Sequence, residues 1–185
     1  MGVFCCSAWN ILVEYSIMSE ESRERIVVAV SGGWDPIHIG HVRLFQEARK
    51  LGDELVVILN NDNWLLKKKG YVFMGQEERK EILEALGVVD KVVLTNHPPD
   101  PEDMSVCEEL KQLRPHIFAN GGDRKEDNTP EVLVCGEMGC KMVFNVGKGG
   151  KVQSSSWLGE SFIGGVPCPC GSGKKYRDCH AAAQT

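Results

Sequence analysis

Residues Ile26-Val27-Val28-Ala29-Val30 form an unbroken apolar run. A strand with one wet face alternates apolar and polar residues. A strand that stays apolar throughout is covered on both faces, as in a parallel sheet sandwiched between helices. Four more β-rich runs follow, at Leu55–Leu59, Lys91–Leu94, Ile117–Ala119 and Met142–Val146. Helical patterns separate them. Leu44, Phe45, Ala48 and Leu51 recur at helical spacing and Gly52 is expected to end that helix. Glu77–Leu86 reads as a charged amphipathic helix closed by Gly87. Ser105-Val106-Cys107-Glu108 matches a capping box for a helix running to Leu113, and Thr129 before Pro130 matches an N-cap with proline in the first turn. Ser154–Phe162 reads as a last helix. Strand–helix alternation with short connections predicts an α/β fold with a parallel sheet of about five strands.

The chain has 185 residues, enough for one core-bearing domain and a short appendage. No apolar run approaches the roughly 20 residues that span a bilayer, so no membrane partner is expected. A net charge of -5 disfavours nucleic acid as a bulk electrostatic partner. The eight cysteines are too unevenly placed for a secreted disulfide scaffold: Cys5 and Cys6 open the chain, Cys107, Cys135 and Cys140 are scattered, and Cys168, Cys170 and Cys179 cluster at the end. With no basic segment ahead of an apolar core, the expected location is cytoplasmic. Residues 1–24 read as a flexible leader, because a polar start at Met18-Ser19-Glu20-Glu21-Ser22 precedes the first strand. The Met-Gly beginning does not complete an acylation signal, since Cys6 stands where Ser or Thr is required. The main domain is expected over 25–163 and a Cys-rich tail over 164–185.

Directly after the first strand comes Gly32-Gly33-Trp34-Asp35-Pro36-Ile37-His38-Ile39-Gly40-His41. Glycines at a strand end let backbone approach a ligand closely, and the helix that follows offers N–H groups to phosphate. One histidine here would usually be a hydrogen-bonded structural residue. Two, spaced three apart around a glycine at the carboxyl end of the first strand, point to function.

This loop resembles the His-x-Gly-His signature of the cytidylyltransferase-like nucleotidyltransferases, a family that includes glycerol-3-phosphate cytidylyltransferase, heptose-phosphate adenylyltransferase and archaeal FAD synthase. The likeness runs from Ile26 to about Leu158 and implies a Rossmann-like, doubly wound parallel sheet. It implies His38, His41 and Lys69 as catalytic groups, Lys69 being the member of Lys67-Lys68-Lys69-Gly70 that best matches a triphosphate-binding lysine. It implies nucleotide contacts from Gly32, Gly33, Trp34, Asp35 and Arg79, and from Gly122 and Asp123 of a Gly-x-Asp-like loop after the fourth strand. Without the histidine loop, the lysine run and Arg79 would read as a solvated face. The last family signature is altered. Relatives carry an arginine before an Ile-Ser-Thr-Thr-like turn, whereas here Lys148-Gly149-Gly150-Lys151 precedes Ser154-Ser155-Ser156. The serines can still give hydroxyls and amides to phosphate, and Lys148 or Lys151 can supply charge without the bidentate fork of arginine.

The chemistry suits such a site. A phosphate monoester, with its second pKa near about 6, is a dianionic nucleophile at neutral pH and needs no general base. The work is to align two anions and neutralise charge on the α-phosphate and departing pyrophosphate, with Mg²⁺ sharing that charge. The resemblance therefore implies transfer of CMP, or AMP, from CTP or ATP to a phosphorylated or phosphonate small molecule, with the cytidylyl reading preferred. The alternatives are an adenylyltransferase of the heptose-phosphate or FAD synthase type, or a non-catalytic nucleotide-binding module. A homodimer is implied by resemblance alone.

The tail contains Cys168, Cys170, Cys179 and His180, three thiols and an imidazole suited to tetrahedral zinc. It resembles the SEC-C motif. A four-ligand site leaves no open position, so Zn²⁺ would be structural in a small C-terminal knuckle. Lys174, Lys175 and Arg177 give the tail a basic face suited, by analogy, to an acidic protein or RNA partner.

Overall fold

The computed structural model describes residues 23–121, 130–147, 154, 155, 158, 159 and 172–175. Its elements are β1 (Val27–Gly32), α1 (Ile39–Arg49), β2 (Glu54–Leu59), α2 (Asp62–Lys69), α3 (Gln76–Glu84), β3 (Lys91–Leu94), α4 (Cys107–Leu113), β4 (Ile117–Gly121), α5 (Pro130–Met138) and β5 (Lys141–Val146). The strands form one parallel sheet in the order β3-β2-β1-β4-β5. The chain winds outward from β1 through β2 to β3, then crosses back to β4 and β5. The reversal lies between β1 and β4, where an open α/β sheet leaves a crevice at the carboxyl ends of its strands.

Both faces of the central strands β1 and β2 are dry, as the unbroken apolar runs require. On one face Val28 and Val30 of β1 and Leu55, Val57 and Leu59 of β2 pack with Leu44, Phe45 and Ala48 of α1 and Leu83 of α3. On the other, Ala29, Ile58 and Phe118 pack with Leu110 of α4 and with Cys135 and Cys140. Each of the valine, leucine, isoleucine and phenylalanine side chains among them contributes about 1.5–3 kcal/mol on burial. Cys107, Cys135 and Cys140 are free, buried thiols, and burial pushes Cys135 up to about 12, so these sulfurs act as small apolar residues.

Several local expectations need correction. The helix α2 is absent from the sequence reading, where 67–69 was only a basic run. Asn61 caps it, accepting from the Trp64 amide at 3.0 Å, and Gly70 ends it in the left-handed conformation. Ser105 is not an N-cap: that position is Val106, and Glu108 pairs with Lys111 rather than reaching back. Helix α3 ends at Glu84 with Ala85 as C-cap, two residues short of the expected end, so Gly87 falls in the following turn. Gly52 does not cap α1 either, because the C-cap is Lys50. Gly52 is required for close approach, since a Cβ there would sit 2.5 Å from the Ile26 carbonyl oxygen and 2.7 Å from Val28 Cγ2.

Gly52→Ala should therefore destabilise the fold by about 1–3 kcal/mol through overpacking against backbone. Gly87→Ala, where nothing lies within 4 Å of the added carbon, should stay within about 0.5 kcal/mol of the parent. Urea unfolding of the two variants checks this, and equal midpoints would refute the close-approach role.

Candidate active site

Strand β1 delivers the chain into a loop whose two glycines are set by their neighbours. A Cβ on Gly32 would lie 2.8 Å from the Trp34 ring, and one on Gly33 would lie 2.7 Å from Leu65 Cδ2 of α2. Trp34 adopts a left-handed backbone, φ 50°, and its side chain turns inward, only 6% exposed. Its ring meets His41 and Phe45 edge-on, each at 4.9 Å between centroids. Trp34 thus forms a floor beneath a histidine. Its indole Nε1 is buried and has no hydrogen-bond partner among the described residues.

His38 is the N-cap of α1, and the two histidines share the cap. The Gly40 amide donates to His38 Nδ1 at 3.1 Å, and the His38 amide donates to His41 Nδ1 at 3.3 Å. Because each Nδ1 accepts from backbone, each neutral ring carries its proton on Nε2. The rings stack with centroids 3.6 Å apart and planes 24° apart. Burial lowers the pKa of His38, and Lys69 adds to that. For His41, burial, then its stacked neighbour, then Lys69 bring the pKa down to about 3. Near neutrality both rings are uncharged donors at the positive end of a helix, suited to anionic oxygen.

Lysine and histidine loops meet at Asp35. Lys69, the last residue of α2, donates to the Asp35 carbonyl oxygen at 2.5 Å, and partial burial lowers its pKa. Its neighbours face elsewhere, with Lys67 paired to Asp100 and Lys68 exposed. Asp35 was expected to contact nucleotide, and the structure turns its side chain inward. It is fully buried, and its carboxylate accepts from the Phe73 and Met74 amides at 2.9 and 2.8 Å. An anion there would repel phosphate. Its role is to fix residues 73 and 74.

Arg79, also expected to contact nucleotide, turns inward in the same way. Its side chain is wholly buried, with Nε donating to the Met74 carbonyl (2.9 Å), Nη1 to those of Gly33 (2.6 Å) and Asn60 (2.8 Å), and Nη2 to Asp62 Oδ1 (2.6 Å). A charged side chain in a phosphate-binding motif reads as a ligand contact, and only burial reveals a strut. The signal that was available is Asn61-Asp62-Asn63, a cap cluster placing a carboxylate at the start of α2.

The serine turn reaches the same loop. Ser155 Oγ donates to the Pro36 carbonyl at 3.0 Å, the Leu158 amide to that of Ser154 at 3.1 Å, and Gly159 lies against the Tyr71 hydroxyl. Gly122, Asp123, Lys148, Lys151, Ser156, Cys168, Cys170, Cys179 and His180 lie outside the described residues, as do residues 1–22 of the 1–24 leader. Among the described residues no group of three His, Cys, Asp or Glu side chains could hold a metal, and no helix is long and apolar enough to cross a membrane.

Comparison with known proteins places this geometry. The cytidylyltransferase-like family model matches residues 29–137, and that of the SEC-C motif matches 166–182. The bifunctional protein HldE of Pelobacter propionicus is 37% identical over 144 residues, 77% of this chain but 26% of that protein. The chain thus spans about a quarter of that relative's length. The FAD synthase of Pyrococcus abyssi is 38% identical over 104 residues, 56% of this chain and 67% of that one. Among solved structures, the lipopolysaccharide core biosynthesis protein of Thermoplasma volcanium superposes with a TM-score of 0.54 at 26% identity, covering 68% of this chain and 99% of its own.

The buried histidine gives the stability a pH dependence. Unfolded, His41 binds a proton near its ordinary 6.5; folded, it does so only near about 3. Between those values the unfolded chain holds the extra proton, so this contribution is complete above 6.5 and is lost as pH falls toward 3. A His41→Gln variant lacks it. The stability gap between the two proteins should shrink by up to about 1.4 kcal/mol per pH unit on acidification from 6.5. Denaturant titrations at pH 7, 6 and 5 giving a constant gap would contradict the buried neutral ring.

Proposed function

The chain belongs to the cytidylyltransferase-like family, and from that membership we propose that it transfers AMP from ATP to the phosphate of a small-molecule acceptor, releasing pyrophosphate. The observation that carries this reading is the stacked neutral histidine pair, whose Nδ1 atoms are spent on backbone and whose Nε2–H groups remain to donate. An acceptor phosphate oxygen attacks the α-phosphorus of the nucleotide. A phosphoanhydride P–O bond forms, the α–β P–O bond breaks, and pyrophosphate leaves with that electron pair. His38 and His41 donate to oxygens whose charge grows in the transition state, and Lys69 balances the triphosphate. The serine turn at Ser154, Ser155 and Ser156, the glycines Gly32 and Gly33, the Gly122-Asp123 loop and Lys151 are the proposed frame of the nucleotide.

The preference for adenylyl over cytidylyl transfer is supported by the relatives. FAD synthase is named for its product, flavin adenine dinucleotide, which contains an AMP unit. This replaces the preference for CMP drawn from likeness to the short cytidylyltransferases. Mg²⁺ would arrive with the nucleotide, held mainly by phosphate oxygens, and would neutralise charge between the leaving groups. In the tail, the donor set Cys168, Cys170, Cys179 and His180 fits Zn²⁺ as a structural ion.

A pyrophosphate-release screen of four nucleoside triphosphates against sugar, polyol, flavin and phosphonate acceptors should find ATP the best donor. On the best pair, His38→Ala and His41→Ala should each lower kcat by about 10²–10³ with a much smaller change in KM, the usual cost of one transition-state donor. Wild-type turnover in both variants would overturn the mechanism.

Metal analysis of the purified chain should find one zinc per chain, lost in a Cys168→Ser/Cys170→Ser variant, while ATP turnover persists. Full zinc content in that variant would remove the assignment.

A further inference from the structure

We infer that Arg79 and Asp62 are positioning residues that set where Lys69 stands relative to the histidine pair, acting through helix α2 without touching the nucleotide. The inference rests on the proposed adenylyl transfer but concerns a different part of the machinery.

Helix α2 is held at both ends by the loop that follows β1. At its start, Asp62 bonds Arg79 Nη2, and Arg79 Nη1 bonds the Gly33 carbonyl. At its end, Lys69 Nζ bonds the Asp35 carbonyl. Between the two, Leu65 is fully buried and fills the space left by the missing side chain of Gly33. The helix therefore spans two points only two residues apart in the histidine loop. Its far end carries the lysine.

Arg79 also fixes the chain leaving that far end. Its Nε holds the Met74 carbonyl, while the Met74 and Phe73 amides are held by the Asp35 carboxylate. The loop from Gly70 to Met74 is thus gripped on its amide side by an anion and on its carbonyl side by a cation, both buried. The Asn60 carbonyl, at the end of β2, takes the remaining Nη1 proton and refers the assembly to the sheet. Asn61 and Trp64 secure α2 laterally, through the His97 and Met104 carbonyls.

The lever is long enough to matter. From Asp62 to Lys69 the axis rises about 10 Å, so a tilt of about 10° at the arginine end moves the lysine end by about 2 Å. A displacement of that size exceeds the tolerance of a hydrogen bond to phosphate. Loss of the arginine–aspartate link is therefore expected to appear as a misplaced lysine.

The test is a double-mutant cycle at a temperature where circular dichroism shows every variant folded, with kcat and KM for Mg–ATP measured by pyrophosphate release. Asp62→Ala should raise KM for ATP about tenfold in the parent background, and by less than about twofold in a Lys69→Ala background, where no lysine is left to misplace. Arg79→Lys should behave alike; if it does not fold, Asp62→Ala carries the test. Equal fold changes in both backgrounds, or a fall in thermal midpoint with KM unchanged, would overturn the inference and reduce the pair to a structural strut. If the parent shows no turnover with any acceptor, the transfer reading fails. The cycle is then read by calorimetric binding of Mg–ATP, where the same non-additivity is expected and additivity is equally fatal.

Discussion

A single buried guanidinium ties together the chain leaving the carboxyl ends of β1 and β2. Arg79 takes the carbonyls of Gly33, Asn60 and Met74 and the carboxylate of Asp62, so the loops after β1 and β2, the start of α2 and the approach to α3 all meet on one planar group. Burying a cation is costly unless its donors are matched, and four hydrogen bonds, one of them to the Asp62 carboxylate, supply that match. Removing one partner of a fully buried pair typically costs about 3–5 kcal/mol. Asp62 keeps 35% of its side chain exposed, so solvent screens its part of the pair and its loss should cost less. Arginine suits the place because its fork reaches several acceptors at fixed angles, which a lysine ammonium cannot do.

Around that strut the histidine pair serves two ends with one set of bonds. The contacts that start α1 are also the contacts that fix both imidazole tautomers, since each Nδ1 accepts from an amide of the helix entry. Close stacking is compatible with neutral rings and not with two imidazoliums. Burial, the neighbouring ring and Lys69 all push His41 toward the uncharged form. Trp34 beneath it, held in a left-handed backbone, blocks collapse of the ring into the core. Backbone strain of this kind persists where surrounding packing over-determines it.

Much of the fold was legible because a strand buried on both faces has little choice of residue. The runs at Val28–Val30 and Leu55–Leu59 announce themselves without reference to anything distant. Helix α2 was not legible in the same way, because three consecutive lysines hide its short apolar stripe, of which Leu65 alone is buried. The signals that mark it are at its ends, Asn61 before and Gly70 after. The expected cap at Ser105 failed because the helix begins one residue later, with Val106 as N-cap, so Glu108 falls one position short of where a capping box needs it.

Within the site, sequence by itself determined the local chemistry: a glycine turn after a buried strand, two histidines three residues apart at a helix start, and a run of lysines before a glycine. Each of these is a short-range pattern, written within one turn of chain. Only the tertiary structure decided that Lys69 meets the histidine loop at the Asp35 carbonyl, and that Asp35 and Arg79 look inward to backbone. Charge type is encoded residue by residue, but its direction is chosen by solvation. A carboxylate or guanidinium is buried only where remote amides and carbonyls, from Gly33 to Met74 here, have been brought close enough to replace water.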